Sequence, residues 1–373
     1  MKTGGVNKHP VLNMIETKKT AILIFLLVLL NLASPGMNEG RDENFKLIGM
    51  IGDDRDDYAF TRISGAALSP CKEIFISDVK GHFIAKYDWE GNFIKRVGRP
   101  GAGPGDFKSP QQIGVVNESL FVLDFQNARI AEMDLNLENI QYFRLNGKIA
   151  FMQSFTPLEK NKFLVTPFWP STSGINENDK FRIFVIDRDS KILRAFFKET
   201  PIPPADFGIK DQKTLTRLDM LSRPVFGLDD KREKLLVSFV TPDNPIVFYL
   251  YNLNGETIKK FHFELESKYR FPTEVYRRKQ WSLSMLDGLH AFTVRSIFFY
   301  SRYWYIFIEK TYYKKHDDVN REYIYVKYDE MGKFIGKYEF PAGFECYDVS
   351  AGGYILGKQP YAEIERLMIY KIN

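Results

Sequence analysis

The chain of 373 residues has little cysteine, histidine or tryptophan: two, five and four residues respectively. Two cysteines exclude a disulfide-dense scaffold and a multi-cysteine zinc module. The histidines stand at positions 9, 82, 262, 290 and 316, and no two are separated by the two to four residues of a paired-histidine zinc site. A G-x-S-x-G elbow for a serine nucleophile is absent. Charge of one sign is lacking too. The 52 basic and 47 acidic residues are intermixed, so the basic stripe of a nucleic-acid binder is missing. The most apolar stretch, residues 20–33, falls short of the roughly 20 residues that span a bilayer.

That stretch, TAILIFLLVLLNLA, carries no charge. Lys18 and Lys19 precede it, and Ala33, Ser34, Pro35 and Gly36 close it. Basic flank, short apolar run and small-residue exit follow the order of a secretory signal. Residues 1–36 therefore read as an export signal, and 37–373 as the mature domain, periplasmic or extracellular. An uncleaved anchor through residues 20–33 is the other reading, and Met14 offers a second start. No Cys follows the run, so a lipoprotein cleavage site is absent. The segment holds Lys2, Lys8, Lys18 and Lys19 against Glu16, so most of the net charge of +5 belongs to it. An oxidising compartment would allow Cys71 and Cys346 to pair; the plainer expectation is two unpaired, buried thiols.

Aromatic residues are plentiful, with 32 Phe and 20 Tyr, which favours half-buried pleated surfaces. One pattern recurs: an alternating apolar strand, a turn opened by Asp or Asn, and a second alternating strand. The copies are FIAKYDWEGNFIKRVG (83–98), RIAEMDLNLENIQYFRL (129–145), IFVIDRDSKILRAFF (183–197), VFYLYNLNGETIKKFHF (247–263) and IYVKYDEMGKFIGKYEF (324–340). Asp88, Asp134, Asp187, Asn252 and Asp329 open the turns, and Gly91, Gly255 and Gly332 supply positive φ in three of them. Period-two alternation on both sides marks β-hairpins. Two shorter apolar strands precede each hairpin, so the unit is four antiparallel strands. Such units in series are the signature of a β-propeller. After the fifth unit only three strands remain, near residues 345–349, 354–357 and 367–372, and one orphan strand, residues 45–52, opens the domain. Joining the orphan to the last three gives a sixth blade and removes the open sheet edges. The fold expected is an all-β, six-bladed propeller closed by its N-terminal strand.

Residues 93–115 read FIKRVGRPGAGPGDFKSPQQIGV, and LFVLDFQNARIAEMD follows. This segment resembles the NHL repeat of six-bladed propellers through Gly98, Gly101, Gly103, Pro104, Gly105, Phe107, Pro110, Val122, Asp124, Asn127, Arg129 and Ile130. The other blades keep only the strand–turn–strand skeleton. The resemblance implies the propeller of an exported bacterial group. It implies little about activity, because such propellers include binding modules, scaffolds and a few enzymes.

Residues 101–107, GAGPGDF, are Gly-rich but lead into a strand with no following Lys, so they read as an inter-blade connector rather than a phosphate loop. The carboxylates Asp53, Asp54, Asp56 and Asp57 lack the spacing and closing Glu of a calcium loop and read as a solvated turn. Arg129 reads as a structural donor to Asp124 or to blade carbonyls. Arg62, Lys108 and Arg223 each stand just before an innermost strand; if those strands enter from one face, the three approach one mouth of the channel and favour an anionic ligand. Two insertions interrupt the repeat, at 168–180 and 198–220, and Phe168 and Trp169 in the first are candidate partner anchors. The aromatic run of the fifth blade, Phe298 to Tyr305, reads as core, and residues 310–321 as a solvated hairpin tip.

The functional expectation is a monomeric, non-catalytic binding or scaffold propeller in the cell envelope, with a protein, peptide or glycan partner, no nucleic acid, and no cofactor. The alternative is a tunnel-centred hydrolase or lyase, lactonase-like, using a divalent cation. It requires His or carboxylate side chains from at least three blades to converge on the axis.

Overall fold

The alternating segments fold as the repeat predicts. In the computed structural model the described residues are 39–40, 45–52, 59–150, 152–167, 183–196, 223–239, 245–269, 288–315, 318–340, 343–360, 362 and 364–372. Six sheets follow one another along the chain, five of four strands and one of five. Blade 1 comprises Ile63–Leu68, Ile74–Asp78, Phe83–Tyr87 and Phe93–Val97; blade 2 comprises Pro110–Val116, Ser119–Asp124, Arg129–Asp134 and Gln141–Arg144. Blade 3 runs from Met152–Glu159 to Ile192–Phe196, blade 4 from Pro224–Leu228 to Thr257–Phe263, and blade 5 from His290–Tyr300 to Phe334–Phe340. Blade 6 is composite. Glu345–Val349, Tyr354–Lys358 and Leu367–Ile372 form its inner three strands, and Phe45–Ile51 pairs with the last in antiparallel register from Phe45↔Ile372 to Ile51↔Leu367.

Each hairpin turn that the repeat marks is held by its Asp or Asn. Asp134 Oδ1 accepts from the backbone N–H of Asn136 and Glu138, Asp187 Oδ1 from Asp189 and Lys191, and Asp329 Oδ1 from Met331 and Lys333, all at 2.8–3.0 Å. Asp88 and Asn252 do the same to Asn92 and Glu256. The left-handed residue of the turn is Gly91, Gly255 or Gly332 in three blades, but Leu137 and Ser190 in the two weaker copies. The side-chain acceptor thus fixes the turn even where Gly is absent.

The core is divided among the blade interfaces. Six apolar clusters lie one between each adjacent pair of blades, from Ala67, Phe75 and Leu120 between blades 1 and 2 to Ile51, Ile76 and Leu356 between blades 6 and 1. Central strands are buried on both faces, so Ile74–Asp78 and Phe83–Tyr87 are buried throughout, whereas the outer strand Phe93–Val97 alternates half-buried and exposed. In blade 5, Phe298, Phe299, Trp304 and Tyr305 are buried, as the core reading expects. The hairpin tip expected at 310–321 is mostly paired strand, with a register shift between Tyr313 and Lys315. Strands Tyr303–Lys315 and Asp318–Asp329 pair out to Lys315↔Asp318, because alternating Tyr and Thr residues continue the strand pattern. Lys310 there is mostly buried and paired with Glu322 at 2.7 Å.

Blades are wedges, and their inner strands crowd the axis. Glycine permits the approach. A Cβ on Gly65 would stand 2.8 Å from Gln111 O in the next blade, and one on Gly227 would stand 2.5 Å from Ile297 O. Gly227→Ala is therefore expected to lower the unfolding free energy by about 1–3 kcal/mol through overpacking against backbone. Gly49→Ala, whose new methyl would make only ordinary contact with Ile369, is expected to be neutral. Urea denaturation of the two variants checks this pair.

Candidate functional site: the central channel

The six inner strands enclose a channel of about 620 Å³. Side chains of every blade line it, among them Ser64, Gln112, Gln153, Arg223, Arg295 and Glu345. Hydrogen bonds tie neighbouring inner strands around the ring. Ser64 Oγ donates to Pro110 O at 2.8 Å, Gln112 Nε2 to Gln153 O at 3.2 Å, and Arg232 Nη1 to the carbonyls of Pro157 and Leu158 at 2.6 and 2.9 Å. Cys346 N donates to Ser296 Oγ at 2.9 Å. At the closure, Leu68 N donates to Asp348 Oδ2 at 2.8 Å, while Lys358 Nζ and Tyr347 OH both donate to Ile63 O.

Arg62, Lys108 and Arg223 immediately precede strands Ile63–Leu68 and Pro224–Leu228 or, for Lys108, stand two residues before Pro110–Val116. Of the three, Arg223 lines the channel. All three side chains are exposed, and Arg62 and Lys108 stand outside the lining. Their backbones explain their placement: Arg62 N donates to Asp78 Oδ1 at 3.1 Å, and Lys108 N to Asp124 Oδ1 at 3.0 Å. Phe168 and Trp169, the insertion 198–220, the acidic run 53–57 and the segment 1–36 lie outside the described residues.

Sequence reasoning missed Arg295, Glu345, Cys346, Tyr347 and Asp348. They share the channel because each sits on an inner strand, and that position is the one signal that could have found them. Burial, reinforced by the Asp348 and Glu345 charges, pushes the Cys346 thiol well above its ordinary value. Burial, with Glu345 and Glu365 nearby, also pushes the Tyr347 phenol well up. Asp348 is pushed up by burial, against two backbone N–H donors and the Arg232 charge that pull it down. Both cysteines are free; Cys71, expected to be buried, is instead exposed, because it sits on the turn between Ile63–Leu68 and Ile74–Asp78. A thiol reagent at neutral pH is expected to label Cys71 at least about 100-fold faster than Cys346, whose thiolate is scarce and enclosed. Labelling of Cys71→Ser and Cys346→Ser variants assigns the two rates.

The described histidines are elsewhere. His82 Nδ1 lies 3.0 Å from Lys108 O, and His290 stacks on Tyr312 at 4.4 Å between ring centroids. Among the described residues no group of three or more His, Cys, Asp or Glu side chains is placed to hold a metal ion.

The NHL-like segment forms a structural staple between blades 1 and 2. Asp124 is fully buried and accepts from Lys108 N, Ser109 N, Asn127 Nδ2 and Arg129 Nε. Arg129 spends its remaining donors on Ala102 O and Asp106 O, at 3.0 and 2.7 Å, and lies 3.8 Å from the Tyr142 ring centroid. Residues 101–107 are the connector that this network holds.

Solved structures with a similar fold include a member of the DUF4221 family from Bacteroides vulgatus, at TM-score 0.57 and 12% identity over 89% of this chain and 99% of that one. A protein of Bacteroides fragilis, named as a candidate for export, matches at TM-score 0.56 and 14% identity over 91% and 98%. Virginiamycin B lyase from Staphylococcus aureus is more distant, at TM-score 0.44 and 11% identity over 88% and 100%. At such identities the likeness concerns the fold alone. Among the described residues no helix is long and apolar enough to cross a membrane. The sequence pattern of the TolB-like six-bladed propellers matches residues 71–352, most of the chain, and the protein belongs to that family.

Proposed function

We propose that this protein is an exported, non-catalytic binding propeller whose channel mouth and neighbouring loops receive a protein, peptide or glycan partner in the cell envelope. The observation that carries the reading is how the channel's reactive groups are held. Burial disfavours the Cys346 thiolate, the Ser64 hydroxyl bonds to the next blade, and Ser296 accepts from the Cys346 N–H. What remains available is a large concave surface with fixed polar groups from all six blades, which suits recognition. The NHL-type connector between blades 1 and 2 and the apolar segment at 20–33 fit an exported propeller of this kind.

A photocrosslinking residue at Gln153, inside the channel, and another at Ile94, on an outer strand, test the reading in intact cells. A discrete adduct is expected from position 153 and not from position 94. Equal patterns from both positions, or turnover of ester or lactone substrates by the purified protein, would overturn it.

A further inference from the structure

A second opening lies on the rim of the ring and shares no lining residue with the channel. It is a groove of about 270 Å³ between the outer strand of blade 6, Phe45–Ile51, and the turn of blade 1 that follows Asp88. Ile48, Met50, Ile51, Trp89 and Ile369 give it apolar walls, and Glu90 is the one charged residue of the lining. Met50 is 55% exposed and Ile48 44%, so apolar surface faces water there. A lone exposed apolar side chain is ordinary, but several lining one groove mark a place where something is covered. The volume is below that of a pocket for a compact small molecule and suits a single extended chain.

Three lysines stand beside this groove. Lys46 is opposite Lys371 in the ladder, and Lys371 is opposite Tyr354, so the three side chains share one face of blade 6. Lys371 Nζ lies 4.5 Å from the Tyr354 ring centroid and donates to Gly352 O. Trp89, a wall of the groove, meets Tyr354 edge-on at 4.5 Å. Lys72 Nζ is 5.7 Å from the Trp89 centroid and 5.6 Å from that of Tyr354. Lys46, Lys72 and Lys371 form no ion pair with a carboxylate among the described residues. Three ammonium groups against the Glu90 carboxylate leave a positive field at the edge of an apolar groove. A sugar would leave the apolar walls wet, and a neutral apolar chain would leave the lysines without an anion. A chain that ends in an anionic head satisfies both.

We propose that the groove between blades 6 and 1 binds a single-chain amphiphile with an anionic head, its alkyl chain over Ile48, Met50 and Trp89 and its head beside Lys72, with Lys46 and Lys371 adding to the field. This site is separate from the channel and does not depend on what the channel binds. A free fatty acid and a lysolipid both present the required chemistry.

Titration calorimetry of the full chain with decanoate and with decanoyl lysophosphatidylglycerol, both below micelle formation, tests the two sources. Decanol lacks the charge, and butyrate and glycerol phosphate lack the chain; these are the comparators. At least one of the two amphiphiles is expected to bind, at least about tenfold more tightly than its chainless comparator, because the chain removes apolar surface from water. Met50→Glu is expected to weaken binding at least about tenfold, and its exposed position leaves the fold intact. Lys72→Gln is expected to weaken the anionic amphiphile about two- to fivefold and leave decanol unchanged, whereas Glu90→Gln strengthens the anionic amphiphile by a similar factor. Ile192→Ser, on the exposed outer strand of blade 3, is expected to change nothing. Binding of neither amphiphile, binding no tighter than that of the comparators, or binding that survives Met50→Glu unchanged would overturn the proposal. An equal effect of Lys72→Gln on decanol and on the anionic amphiphile would overturn the assignment of the head.

Discussion

Asp124→Ala is expected to destabilise the folded protein by about 3–5 kcal/mol, a large share of the stability of an ordinary domain. The substitution leaves the nearly buried Arg129 guanidinium without its carboxylate and the Lys108 and Ser109 N–H groups without their acceptor, while the Asn127 amide keeps only Gly101 O. Asp124 is fully buried and Arg129 and Ser109 nearly so, so water cannot simply replace the carboxylate. Asp124→Asn keeps an acceptor oxygen and is expected to fall between the variant and the wild type. The comparator is Arg99→Ala. It removes a 2.6 Å pair to Asp106, but Arg99 is 79% exposed, and such a pair is worth about 1 kcal/mol or less. Chemical denaturation of the three variants decides the matter. A cost for Asp124→Ala no larger than that of Arg99→Ala would mean that the NHL-like motif is decorative.

The second large effect is expected from removing the first strand. A chain lacking residues up to Ile51 should lose cooperative unfolding, or aggregate. The lost strand pairs with Leu367–Ile372 along its length and buries Ile51. Phe45 also packs edge-on against Tyr305, Phe307, Tyr325 and Phe340 of blade 5, at centroid distances of 5.1–5.9 Å. Apolar burial and ladder hydrogen bonds together amount to about 5–10 kcal/mol, comparable with the total stability of a typical domain. The deletion also exposes the Leu367–Ile372 edge, a template for pairing with other chains. Calorimetry and light scattering of the truncated protein check the expectation, and a synthetic peptide FKLIGMI added in trans should partly restore the transition. A truncated chain that unfolds as cooperatively as the parent would show that the composite blade is not what holds the ring shut.

The repeat was legible because it is local. Period-two alternation and an Asx residue at each hairpin turn act within about 15 residues, so local pattern alone places Asp88, Asp134, Asp187, Asn252 and Asp329 at their turns. The composite sixth blade followed from counting strands, since an unpaired edge at each end has one economical solution. Arg129 was legible as a structural donor because its partner Asp124 lies five residues away. Extension of the blade 5 ladder through Lys315↔Asp318 was not, because Lys, His and Asp residues hide a strand that its neighbour sustains. Nor was the exposure of Cys71, which depends on how far one turn projects.

The channel was decided by tertiary structure. Its lining comes from strands far apart in the chain, and no local pattern distinguishes a residue that faces the axis from one that faces a loop. Sequence alone placed Arg62, Lys108 and Arg223 just before inner strands, and at one mouth only if those strands enter from one face. The fold then turned Arg223 into the channel and left the other two outside its lining. It also brought Glu345, Cys346 and Asp348 beside them and moved the Cys346 and Asp348 proton affinities by enclosing them. Periodicity and turn chemistry are properties of neighbours in the chain, so the sequence by itself determined the blades, their number and their closure. Burial and charge proximity are properties of neighbours in space, and these the ring of blades alone created.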